Sequence, residues 1–142
     1  MRYFIELAYK GTNFHGWQIQ NNAETVQATV EKALSLILRT KISVVGAGRT
    51  DAGVHALGQV ANFKSDKELD LGKFKYSLNS VLPDDISIVN AELVSEDFHS
   101  RFSALKRSYV YLILSSKSPF YHKYSYSYYS ELNVEKLNQI CR

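Results

Sequence analysis

The chain has 142 residues, 45% hydrophobic and 22% charged, with a net charge of +3; this excludes wholesale disorder and fits one domain or one lobe of a longer protein. No apolar run approaches the roughly 18 residues that cross a bilayer, and no signal-peptide core follows Met1, so the sequence predicts a soluble, cytoplasmic protein without membrane attachment. Cys141 is the only cysteine, which excludes an intrachain disulfide and a cysteine-built zinc cluster.

Arg2 to Tyr9 alternates, with Tyr3, Ile5 and Leu7 on one face and Arg2 and Glu6 on the other, and predicts a strand. A loop rich in Gly, Asn and His follows from Lys10 to Asn22. Val26, Val30, Ala33, Leu34, Ile37 and Leu38 fall at helical spacing behind Thr25, a suitable N-cap. The β-branched run Ile42 to Val45 predicts a short strand, the segment from Gly46 to Gly58 a glycine-containing loop, and Gln59 to Lys64 the next strand. Leu71, Phe74, Leu78 and Leu82 predict a second helix, capped by Asp70 and stopped by Pro83, before a strand over Ile86 to Leu93.

This order, β-α-β-β-α-β, is the α+β, ferredoxin-like arrangement that RNA-recognition modules also use. It covers residues 1–93 as one expected subdomain carrying the loop at 46–58. Residues 94–142 form the second part. There, Lys106 to Leu114 predicts an added strand, with Tyr109, Tyr111 and Ile113 on one side. Asn133 to Arg142 predicts the start of a helix whose apolar face, Val134, Leu137, Ile140 and Cys141, meets no terminating signal. That ending leads us to expect a chain that continues into a further half.

Charge is unevenly distributed. Pro83 to Asp97 holds five acids and no base, whereas Phe98 to Ser130 holds Arg101, Lys106, Arg107, Lys117 and Lys123 and no acid. Ten phenylalanines and tyrosines are interleaved with those bases. Cations that track phosphates among rings that stack bases suit an unpaired RNA segment; a tyrosine-rich pair of strands with a solvated basic face is the plainer reading.

The segment Gly46-Ala47-Gly48-Arg49-Thr50-Asp51-Ala52-Gly53-Val54-His55 is a glycine-punctuated connection with an Arg and an Asp near its apex. Such loops often carry binding and catalytic groups above a rigid sheet. It lacks the Lys-Ser/Thr ending of a phosphate-cradling loop, and Asp51 with His55 lacks a third metal ligand nearby. An ion pair between Arg49 and Asp51 that merely braces the loop is the bland alternative.

The run GAGRTDAGVHALGQVANF resembles the signature of the tRNA pseudouridine synthase family called TruA. Two further blocks are similar to that family: Tyr9-Lys10-Gly11 with Phe14-His15-Gly16-Trp17-Gln18-Ile19-Gln20, and DFHSRFSALKRSYVYLI from Asp97. The resemblance implies that Asp51 is the catalytic carboxylate, that Arg49 pairs with it and helps to displace the target base, and that Tyr109 stacks on the flipped uracil. It further implies isomerisation of uridine to pseudouridine in the anticodon arm of tRNA, at positions 38 to 40, by an enzyme with no metal and no nucleotide cofactor. It implies a homodimer at full length, and a larger antiparallel-sheet pseudouridine synthase fold of which this chain is the N-terminal portion.

Lys10, Arg101, Lys106 and Arg107 are the expected phosphate contacts. His15, His55 and His99 are expected to make local hydrogen bonds or RNA contacts, Trp17 to pack at a loop base, and Phe102 and Tyr111 to lie in the core. Two rival functions remain on the residues alone. One is a non-catalytic RNA-recognition module, against which Gln59 to Lys64 offers only Phe63 as an aromatic. The other is a metal-dependent hydrolase built on Asp51, His55 and His99.

Overall fold

The structure, a computed structural model, describes residues 1–141; Arg142, the last residue of the predicted terminal helix, lies outside them. The chain divides into two compact units, Met1–Leu105 and Lys106–Arg142. No described helix is long and apolar enough to cross a membrane.

The first unit is a mixed α/β layer built on an antiparallel sheet. Its central strand, β1 (Arg2–Tyr9), alternates half-buried and buried residues along its length, as its sequence period of two requires. The other strands are β2 (Val45–Gly46), β3 (Ala56–Lys64) and β4 (Ile86–Val94). They run in the order β2-β3-β1-β4, and every adjacent pair is antiparallel. Between them come α1 (Val26–Leu38) and α2 (Leu71–Val81). Val26, Val30, Leu34 and Leu38 of α1 and Phe74 and Leu78 of α2 join Tyr3, Ile5, Leu7, Phe63 and Ile88 of the strands in one core. Each such side chain contributes about 1.5–3 kcal/mol by leaving water.

Both helices start where their caps were expected. The buried Thr25 accepts from the Ala28 N–H at 3.4 Å, and Asp70 accepts from the Lys73 N–H at 3.1 Å. The Lys73 backbone hydrogen bond holds the Asp70 carboxyl below the usual carboxylate range. A carboxyl with a lower pKa folded than unfolded stabilises the fold above its unfolded pKa, and that contribution fades as pH falls through the folded pKa. Asp70→Ala therefore lowers the melting temperature at neutral pH, with a gap that narrows on acidification; melting curves at stepped pH values measure it. A gap that widened in acid would contradict the cap.

The short strand differs from expectation. Ile42 and Val44 are buried in the core rather than laddered, because α1 takes their backbone donors: Ser35 Oγ accepts from Ile42 N–H and Glu31 Oε1 from Val44 N–H, each at 2.9 Å. Only Val45 and Gly46 pair, with Asn62 and Ala61. On the opposite side, β3 begins three residues earlier than expected, at Ala56. A bulge in β4 opposite Glu6 and Leu7 is stitched by α2, whose Asn79 amide both accepts from and donates to the Ile88 backbone, at 2.7 and 3.0 Å.

Residues beyond β4 turn back over the other face of the sheet. Phe98 packs edge-on against Phe4 with ring centroids 6.0 Å apart, and its carbonyl accepts from Arg2 Nη1. Ser100 is buried, donating its N–H to Asn62 Oδ1 at 2.8 Å and its hydroxyl to the Val45 carbonyl. These bonds explain why the first unit extends to Leu105. Phe102, expected in the core, is instead 77% exposed, lying against His99 with ring centroids 4.4 Å apart.

The second unit, taken by itself, contains β5 (Ile113–Leu114) paired in parallel with β6 (Tyr126–Ser127), and α3 (Val134–Ile140), capped by Asn133. The strand expected over Lys106 to Leu114 is thus realised only at its last two residues, since a strand extends only as far as its pairing partner. Tyr111, also expected in the core, is 87% exposed, with no described layer of this unit packed over it.

Candidate functional site

The loop after β2 is fastened to the segment that leaves β1. Ala47 N–H donates to the Val60 carbonyl at 2.7 Å, and Gln59 Nε2 to the Gly48 carbonyl at 2.8 Å, which ties the loop's start to β3. Farther along, the Trp17 N–H donates to the Thr50 carbonyl at 3.0 Å, and the Gly53 N–H to the Phe14 carbonyl at 3.2 Å. Thr50 Oγ1 lies 2.8 Å from the Tyr9 hydroxyl. At the loop's end, His55 Nδ1 accepts from the Gly11 N–H at 2.8 Å.

These contacts dictate small residues at particular positions. A side chain on Gly11 would begin 2.0 Å from the Val54 carbonyl oxygen, and one on Gly16, whose φ is +83°, would begin 2.4 Å from that of Thr50. Trp17 is buried and lies against Gly46, so the expectation that it packs at a loop base holds.

The result is a rigidly rooted loop with an exposed tip. Asp51 and Arg49 both reach the surface and line one open concavity of about 280 Å³ together with His15, Gln18, Gln20, Thr50 and Ala52. Gln20 Nε2 donates to the His15 carbonyl at 2.9 Å, which steadies that wall. Among the described residues no ion pair joins Arg49 to Asp51. Backbone and hydroxyl bonds, rather than an Arg–Asp bridge, therefore brace the loop, and both charged groups are presented to solvent.

The other candidates belong to other segments of the chain. Lys10 follows β1, half-buried, with its N–H donated to the Asp85 carbonyl at 2.9 Å. Arg101 is exposed in the first unit, its guanidinium 5.8 Å from the Phe102 ring centroid, and its N–H donates to His99 Nδ1 at 3.2 Å. Lys106, Arg107 and Tyr109 belong to the second unit, and Tyr109 is 71% exposed. The structure thus brings together Arg49 and Asp51. His55 and His99 each commit Nδ1 to a backbone N–H, and no described group of three His, Cys, Asp or Glu side chains could hold a metal ion.

Sequence reasoning passed over Tyr9, Thr50, Gln18 and Gln20 as site residues. Tyr9 carried a signal: it continues the buried alternation of Tyr3, Ile5 and Leu7, and a hydroxyl placed in a core needs a partner.

A carboxylate and a guanidinium held on a braced loop beside an antiparallel sheet form a site that receives its ligand from solvent. The chain belongs to the tRNA pseudouridine synthase family, whose sequence profile matches residues 7–103. It is 48% identical over 141 residues to the tRNA pseudouridine synthase A of Bacteroides thetaiotaomicron, covering 99% of this chain and 52% of that protein. Identity is 53% over 112 residues with the enzyme of the same name from Ruminiclostridium cellulolyticum, covering 79% of this chain and 46% of that protein. With that from Aquifex aeolicus it is 42% over 142 residues, covering 99% and 59%. The chain spans about half the length of the curated relatives it matches.

Proposed function

We propose that this chain is the loop-bearing N-terminal portion of an enzyme that isomerises uridine to pseudouridine in the anticodon arm of tRNA, at positions 38 to 40. Asp51 is the reacting carboxylate and Arg49 assists at the displaced base. Tyr109 stacks on the flipped uracil, and Lys10, Arg101, Lys106 and Arg107 contact phosphates. The observation that carries this reading is the placement of Asp51 and Arg49 in one open concavity on a loop rooted at Thr50. The names of the relatives support the substrate and the reaction.

The chemistry suits the groups present. The C1′–N1 bond breaks, uracil turns in place, a C1′–C5 bond forms, and the hydrogen on C5 is lost as a proton while N1 gains one. Atoms and electrons balance without a redox partner or an activated donor. A carboxylate at C1′ serves either as a nucleophile or as the counter-charge to a cationic sugar. Extruding the base costs about a few kcal/mol, which stacking on an aromatic side chain offsets by roughly 1–3 kcal/mol. The antiparallel order β2-β3-β1-β4 with two helices sharing one core supports a ferredoxin-like unit within the larger synthase sheet. A homodimer at natural length, with tRNA lying across both subunits, completes the proposal.

The test uses the protein at its natural length and unmodified tRNA carrying tritium at uracil C5. Tritium appears in water as pseudouridine forms, and its release persists in a chelator. No release from a folded, tRNA-binding protein would sink the assignment and favour an RNA-recognition module; chelator-sensitive turnover would favour the metal-dependent alternative.

A further inference from the structure

We propose that Tyr9 and Thr50 are a positioning pair: one hydroxyl–hydroxyl bond between the end of the central strand and the loop sets the place of Asp51. The inference rests on the reading of Asp51 as the reacting group. Tyr9 is the last residue of β1 and is buried, with its ring 6.2 Å from that of Trp17. Its hydroxyl meets Thr50 Oγ1 at 2.8 Å across 41 positions of sequence. The Thr50 carbonyl is taken at the same time by the Trp17 N–H at 3.0 Å. Thr50 is therefore held at its side chain by the last residue of β1 and at its backbone by a residue of the segment that follows it. Asp51 follows it directly.

The physical case has three parts. A loop tip wanders unless it is tied, and a reacting group displaced by about 1 Å loses on the order of a hundredfold in rate. Asp51 has no described side-chain partner of its own, so the restraint on it comes from its neighbours along the chain. Burial pushes the Tyr9 phenol up, more than the Thr50 bond lowers it, so the hydroxyl stays neutral and keeps its bond across the physiological pH range. Tyr9 does not itself line the concavity; it acts through Thr50, which does.

Tyr9→Phe, in the protein at natural length, removes the hydroxyl and keeps the ring against Trp17. The expected result is a fall in kcat of about tenfold with KM unchanged, because Asp51 is misplaced while RNA contacts stay. Thr50→Val reproduces the loss, Thr50→Ser restores it, and Tyr9→Phe with Thr50→Val together is no worse than either alone. Hydrogen exchange at the Gly53 and Val54 amides quickens in Tyr9→Phe. Unchanged kcat with a lowered melting temperature, or additive losses in the double variant, overturns the pair. If Tyr9→Phe fails to fold, the Thr50→Val and Thr50→Ser comparison decides by itself. If the wild-type protein shows no turnover, the proposed function falls, and the exchange rates alone decide the pair: unchanged rates overturn it.

Discussion

Asp51→Asn in the protein at natural length is expected to abolish tritium release, with kcat reduced by at least about a thousandfold, while tRNA affinity and melting temperature stay close to wild type. The substitution keeps the shape of the side chain and removes its charge. Neither a nucleophilic nor an ion-stabilising route at C1′ survives that loss, because an amide neither attacks the sugar nor balances a positive charge on it. The fold should not register the change, because Asp51 is exposed and its described bond is from its own carbonyl, which accepts the Val54 N–H at 3.2 Å. Surface changes of this kind usually shift stability by less than about 0.5 kcal/mol. Tritium release, filter binding of tRNA and a thermal melt together measure the effect. Retained release from the Asn variant would remove Asp51 from the chemistry, and lost binding would recast it as an RNA contact.

Gly16→Ala is expected to reduce turnover by roughly a hundredfold and to lower the melting temperature as well. The position is constrained twice. Its φ of +83° lies where a Cβ costs about 1–2 kcal/mol, and that Cβ would begin 2.4 Å from the Thr50 carbonyl oxygen, which is backbone and cannot swing aside. The segment cannot easily retreat either. Gly16 accepts the Val26 N–H at 3.1 Å at the start of α1, and the next residue, Trp17, donates to the same Thr50 carbonyl. The loop must move, and Asp51 moves with it. Gly53→Ala is the control: its φ is +79°, but nothing lies within 4 Å of the added carbon, so it carries only the conformational cost. A melt and a tritium-release assay on both variants separate collision from backbone strain. Equal losses in the two would show that the contact between Gly16 and Thr50 does not place the loop.

What could be read without coordinates was local and periodic. The alternation of Tyr3, Ile5 and Leu7, the helical spacing of Val26 through Leu38, and the caps Thr25 and Asp70 depend on residues within a few positions of one another. Each appears in the structure where expected. The loop holding Arg49 and Asp51 was equally legible, because a glycine-punctuated turn with paired charges between predicted strands is a local signal, and the family signature lies on it. Apart from Trp17, which packs at its loop base as expected, readings that needed partners distant in sequence failed or fell short. The strand at Ile42 shrank because Ser35 and Glu31 of α1 took its donors, and the strand from Lys106 shrank to the two residues that β6 pairs. Phe102 and Tyr111 passed for core residues on their chemistry alone, yet burial is decided by what packs over a side chain.

By itself, then, the amino-acid sequence determined the order of strands and helices in the first unit, the caps that start α1 and α2, and the loop that presents Asp51. The tertiary structure decided how that loop is held. Tyr9 meets Thr50 across 41 residues, the glycines at 11 and 16 abut carbonyls far along the chain, and Arg49 stands unpaired with Asp51 beside a shared concavity. The reason is physical: propensity and periodicity act over one or two turns of chain, whereas a hydrogen bond between strand end and loop exists only after the sheet has brought them together.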